Sequence, residues 1–160
     1  MDTATRDRLV QEYLAGPQQL RQAVKGMSRE HVLAKPVAGK MSTLEVVCHL
    51  SDFDPIYVER MKRVIAMDKP TVMGADENVF AQKLCYHDRD LEEELTLIDA
   101  SRKSMARILK KLPLEAWSRE GIHNERGSMS LEKMVATMNN HIPHHVKFIE
   151  EKRKALGVYG

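Results

Sequence analysis

The chain has 160 residues, enough for one domain spanning 1–160 and too few for a second. Its 25 Lys and Arg against 23 Asp and Glu give a formal net charge of +2, so it carries no field that would draw in nucleic acid or a membrane surface, and neither is expected as a partner. A hydrophobic share of 42% beside 30% charged residues excludes a disordered chain, and only 8 Gly and 6 Pro shift the expectation to an all-α fold.

Apolar residues Leu9, Val10, Tyr13, Leu14, Leu20 and Val24 recur at three- and four-residue spacing and predict a first helix over 5–25, closed by Gly26. A kink or break is expected at Gly16-Pro17, because proline removes a helical hydrogen bond and crowds the preceding turn. A linker over 27–41 holds Pro36 and Gly39. Ser42-Thr43-Leu44-Glu45 then reads as a capping box that opens a second helix running to about residue 67. The connection over 68–90 is longer than bundle helices usually need, the kind of segment that covers a site, and residues 78–86 within it have the pattern of a short helix.

A third helix starts at the capping signal Asp90-Leu91-Glu92-Glu93 and carries Leu91, Leu95, Ile98, Met105, Leu109 and Leu112 on one stripe. Arg102 interrupts that stripe where an apolar residue belongs. After a polar loop with Gly121 and Gly127, Ser130 caps a fourth helix that Gly157 ends. No stretch alternates apolar and polar residues long enough to predict a strand. Four amphipathic helices bury their stripes together as a four-helix bundle. The opening residues Met1 to Arg8 lack the pattern of a signal peptide, no apolar run approaches the roughly 20 residues that span a bilayer, and two cysteines make no disulfide framework, so the expected location is cytoplasmic.

The histidines carry the functional signal. His31, His87 and His123 fall in predicted loops or element ends, where a solvated imidazole needs no explanation. The fourth helix differs: its core stripe reads Leu131, Met134, Met138, His141, His145, Phe148, so two imidazoles one turn apart occupy core positions. Such a pair grips a metal ion or forms a hydrogen-bonded core pair. His49 lies on a line with Val46, Phe53 and Ile56 and is expected to face inward as well. Three inward histidines on two helices would leave open coordination positions for water or substrate, which makes His49, His141 and His145 the candidate metal ligands.

Two stretches extend this pattern into a family resemblance. Met41-Ser42-Thr43-Leu44-Glu45-Val46-Val47-Cys48-His49-Leu50-Ser51-Asp52 and Asn140-His141-Ile142-Pro143-His144-His145, with Gly127-Ser128-Met129-Ser130-Leu131 between them, resemble the DinB-like superfamily, which includes YfiT-like metal-dependent hydrolases and thiol-dependent S-transferases. The match runs from Tyr13 nearly to the end. The resemblance implies a four-helix bundle, a divalent metal, zinc or nickel most often, held by His49, His141 and His145, and a homodimer. It also implies a small-molecule substrate, attacked by water or by a low-molecular-weight thiol.

Pro143 keeps a second arrangement open, in which a kinked helix turns His144 inward and pairs it with His141 at i,i+3. Asp52 is a candidate to orient an imidazole, to act as a fourth ligand or as general base, and otherwise reads as a solvated helix carboxylate. Arg102 is a candidate to neutralise an anionic substrate group, and otherwise snorkels past the core edge. Cys48 points about 100° away from His49 around the helix and reads as a small buried hydrophobe. The alternative to an enzyme is a non-catalytic metal-binding or stress-associated bundle.

Overall fold

Asp2 starts the first helix by accepting the Thr5 amide at 2.7 Å, and α1 then runs over Thr3–Val24 in the computed structural model, which describes residues 1–159. The helix does not break at Gly16-Pro17. Pro17 offers no amide to the Tyr13 carbonyl, and the Nη1 of Arg102, reaching across from another helix, donates to that carbonyl at 3.2 Å instead. The linker contains a short helix, α2 (Arg29–Leu33), opened by a capping box between Ser28 and His31.

The second long helix, α3 (Thr43–Ala66), opens on the reciprocal capping box in which Ser42 accepts the Glu45 amide at 3.1 Å and the Glu45 carboxylate accepts the Ser42 amide at 2.7 Å. The long connection folds into strand β1 (Thr71–Val72), helix α4 (Glu77–Lys83) and a 3₁₀ turn at Tyr86–Asp88. Helix α5 (Leu91–Lys111) starts on Asp90, whose carboxylate accepts the Glu92 and Glu93 amides, and α6 (Leu131–Ala155) starts on Ser130. Pro143 sits inside α6 without ending it.

Helix α1 packs against α5 and α6, and α3 packs against the same two, so α1 and α3 occupy one diagonal of a four-helix bundle. The core falls into two large apolar clusters and a smaller third one of Val32, Leu44, Cys48 and Tyr86. One large cluster gathers Tyr13, Tyr57, Met61, Met105, Trp117 and Met138; the other gathers Leu20, Leu50, Ile98, Ile142 and Ile149. Between the two large clusters in sequence lie Gly16 on α1, Asp54 on α3 and Arg102 on α5, and the last two form a fully buried bidentate ion pair at 2.8 and 3.0 Å. Arg102 therefore does not snorkel: it is the polar layer that joins the two halves of the core.

The structure departs from the all-helical expectation in one place. Strands β2 (Glu120–His123) and β3 (Gly127–Ser130) form an antiparallel hairpin, with β1 added in parallel to β2 through the pair Thr71 and Ile122. These strands are two to four residues long, too short for alternation to show in the sequence. They fasten the loop after β1 to the α5–α6 connection, where the Gly74 amide donates to the Asn124 side chain at 2.7 Å. No helix among the described residues is long and apolar enough to cross a membrane.

Candidate metal centre

Helix α3 presents His49, Phe53, Tyr57 and Arg60 at intervals of four, four and three residues, one continuous stripe along its inner face. Helix α6 presents His141 and His145 one turn apart. Where these stripes meet, the Nε2 atoms of His49 and His141 stand 3.0 Å apart, and one nitrogen from each of His49, His141 and His145 lies within 4.8 Å of the others. The rings pack edge to face or tilted, with centroids 4.7 to 5.1 Å apart. Pro143 leaves this pairing intact: His145 joins the cluster, while His144 is exposed at the pocket's edge with its ring 5.2 Å from that of His145.

Burial, followed by the neighbouring His145 and His49, pushes the His141 imidazolium down to about 3, and burial with His49 and His144 does the same to His145. Burial also lowers His49, against the opposing pull of Glu77 and Asp52. All three rings are thus neutral at pH 7, the form in which imidazole offers a lone pair to a metal. The Nδ1 atoms of all three are without a hydrogen-bond partner among the described residues. The close Nε2 pair of His49 and His141 is a hydrogen bond when one of them carries its proton on Nε2; with both protons on Nδ1, two lone pairs face one another and a cation between them would remove their repulsion. A divalent first-row ion takes such nitrogens at roughly 2.0–2.1 Å, so the donor set fits one.

The cluster forms the floor of a cavity of about 280 Å³, lined also by Phe53, Tyr57, Arg60, Glu77, His123 and Arg126. Phe80 of α4 packs on Phe53 with ring centroids 5.7 Å apart, so the long α3–α5 connection does cover the site.

A model of the DinB superfamily matches residues 12–149. The chain belongs to the DinB superfamily. The chain is also similar to two proteins named "Putative metal-dependent hydrolase". The one from Oceanobacillus iheyensis is 28% identical over 140 residues, which are 86% of this chain and 81% of the relative. The one from Geobacillus kaustophilus is 29% identical over 154 residues, 92% and 86% of the two chains. Among solved structures, YfiT from Bacillus subtilis, described as "a probable metal-dependent hydrolase with an unusual four-helix bundle topology", superposes with a TM-score of 0.92 over 99% of this chain and 91% of its own, at 21% identity. This superfamily member therefore has that four-helix-bundle fold.

Neither Asp52 nor Arg102 lines the cavity. Asp52 sits three residues beyond His49 and is rotated toward the segment just before α5, where both Nη atoms of Arg89 donate to its carboxylate at 3.0 and 2.9 Å. Arg89 also binds Glu94, and Ser51 completes the cluster. Arg102 is consumed by Asp54 and by the Tyr13 and Met138 carbonyls. Cys48 is buried, its thiol donates to the Tyr86 carbonyl at 3.6 Å, and burial pushes it up to about 12.

The cavity also gathers charged and titratable residues that the sequence did not assign to the site, among them Arg60, His123, Arg126 and Glu77. Arg60 is the next step of the His49 stripe and was legible as such. His123, expected to be solvated, is 4% exposed, and its Nδ1 accepts the Glu125 and Arg126 amides at 3.1 and 3.3 Å. Arg126 stands in the hairpin turn, and Glu77 opens α4 with its carboxylate 3.9 Å from the His49 Nε2. Nothing in the local sequence marks these three.

Proposed function

We propose that this chain is a metal-dependent hydrolase of small molecules, in which His49, His141 and His145 hold a divalent ion, zinc or nickel. The observation that carries this reading is the convergence of three neutral imidazoles from two helices on the floor of an accessible cavity. A divalent ion held by three neutral ligands keeps its charge uncompensated and open positions free, and would supply Lewis acidity that lowers the pKa of a water or thiol. The chain's own residues do the rest. Phe53 and Phe80 exclude bulk water beside the imidazoles, and Tyr57 continues the aromatic wall. Glu77, the one carboxylate within 4 Å of a cluster nitrogen among the described residues, is placed to take a proton.

The names of the two relatives favour water over a low-molecular-weight thiol as the attacking group. Thiol S-transfer would use the same centre with an external thiol, since Cys48 is sealed away from it.

Elemental analysis of untagged protein tests the proposal. The wild type is expected to hold about one zinc or nickel per chain, and His49→Ala and His145→Ala to hold none. A wild type that takes up no metal after incubation with zinc, nickel and manganese salts overturns it.

A further inference from the structure

Burying a charge without a partner is costly, and proteins pair such groups. Arg102 meets Asp54, and Arg89 meets Asp52 and Glu94. Arg60 does not follow this rule. It is 4% exposed, yet it has no carboxylate within 4 Å among the described residues. Its Nη2 donates to the Met73 carbonyl, its guanidinium lies over the Tyr57 ring at 4.9 Å, and its Nε is buried with no partner.

The surroundings of Arg60 add to its charge. Arg126 lines the same cavity and forms no ion pair among the described residues. His123 lies beside both arginines, and because its Nδ1 accepts two amides, its neutral form carries the proton on Nε2 as a further donor. Two carboxylates also line the cavity, but Glu125 packs its carboxylate against Gly74 and Glu77 stands beside His49, so neither is an ion-pair partner of Arg60.

We infer that Arg60, with Arg126 and His123, forms an anion subsite that holds the carboxylate of a small substrate at the end of the cavity away from the three histidines. Arg60 follows His49 by eleven residues, roughly 16 Å of helix rise, and its side chain leans back toward the helix N-terminus and onto Tyr57. A carboxylate there would lie along the Tyr57–Phe53 wall from the reacting bond. A planar two-oxygen anion matches the guanidinium edge. The cavity volume of about 280 Å³ limits the substrate to a small molecule. The ligand's role as substrate rests on the hydrolase reading; the anion subsite is independent of it.

The test is a nuclear magnetic resonance titration of the whole ¹⁵N-labelled chain, zinc-loaded and zinc-free, with succinate and with uncharged succinamide as control. The Arg60 Nε–H resonance is assigned by its loss in Arg60→Lys. Succinate is expected to shift it saturably and succinamide not to. Affinity for succinate is expected to fall about tenfold or more in Arg60→Lys and in Arg126→Gln, a substitution at an exposed turn that leaves the core untouched.

Absence of saturable binding, or equal succinate affinity in the wild type and Arg126→Gln with an unmoved Arg60 resonance, overturns the subsite. Zinc uptake on the same samples separates the two claims. Zinc bound without Arg60-dependent succinate binding removes the subsite and leaves the metal site. Arg60-dependent succinate binding without zinc uptake removes the hydrolase reading and leaves the subsite.

Discussion

The Arg102 Nη1 donates at 3.2 Å to the Tyr13 carbonyl, the acceptor that Pro17 leaves without its helical partner. Gly16 makes this approach possible, since a Cβ at that position would stand 2.6 Å from the same Nη1. Gly16, Pro17 and Arg102 are thus one device, with Asp54 as its counter-charge. Gly16→Ala is expected to destabilise the fold by about 1–3 kcal/mol through overpacking. Asp54→Ala, which strands a buried guanidinium, is expected to cost about 3–5 kcal/mol. Urea denaturation midpoints read both, and an Asp54→Ala variant as stable as the wild type would show that the pair is dispensable.

A second stability prediction concerns pH. Burial raises the Glu45 carboxyl, but the Lys35 ammonium at 2.8 Å, the Ser42 amide and the nearby His87 outweigh burial and hold it below its ordinary 4.5. Lys152 adds a further positive charge in the vicinity. A depressed folded-state value contributes stability that is present above the unfolded pKa and is lost as pH falls through the folded one. Glu45→Gln is therefore expected to be less stable than the wild type at pH 7, by on the order of 1 kcal/mol. The difference should shrink as pH drops below about 4.5. Melting temperatures of the two proteins across that window check it; a constant gap would mean that the carboxylate's charge plays no part.

The four long helices and most of their caps are legible in the sequence because helical periodicity persists over 21 to 25 residues and Ser42, Asp90 and Ser130 announce the starts. The three histidines are legible for the same reason, as polar residues on apolar stripes. Tertiary partners are not. The break expected at Pro17 fails because its remedy comes from α5, 85 residues away in sequence, and the burial of His123 depends on a hairpin whose strands span four residues each. Glu77 reaches the centre only because α4 folds back over Phe53.

Metal binding is expected to distinguish the two adjacent histidines of α6. A ligand that binds only the folded state raises the melting temperature with its concentration. Zinc or nickel is expected to stabilise the wild type and His144→Ala alike, since His144 is exposed at the cavity edge. The same ions should do nothing for His145→Ala, whose missing ring belongs to the converging set. Differential scanning fluorimetry with and without chelator measures this. A metal-induced shift that survives in His145→Ala but vanishes in His144→Ala would assign the second position on α6 to His144.

The two cysteines differ in a way that bears on any thiol chemistry. Cys48 is buried with its thiol pushed up to about 12 by burial, whereas Cys85 is exposed beside the 3₁₀ turn. The thiolate is the reactive form, and at neutral pH Cys48 supplies almost none of it. A thiol-specific chromogenic reagent is expected to label Cys85 quickly in the native protein and Cys48 only on unfolding, so Cys85→Ser should be inert until denatured. Cys48→Ala, which removes one small buried group, should keep full metal uptake and whatever activity the wild type has, at a stability cost of about 1 kcal/mol. Rapid native labelling of Cys48 would mean that α3 opens at the level of His49, and loss of activity with metal retained in Cys48→Ala would make this thiol the nucleophile in place of an external one.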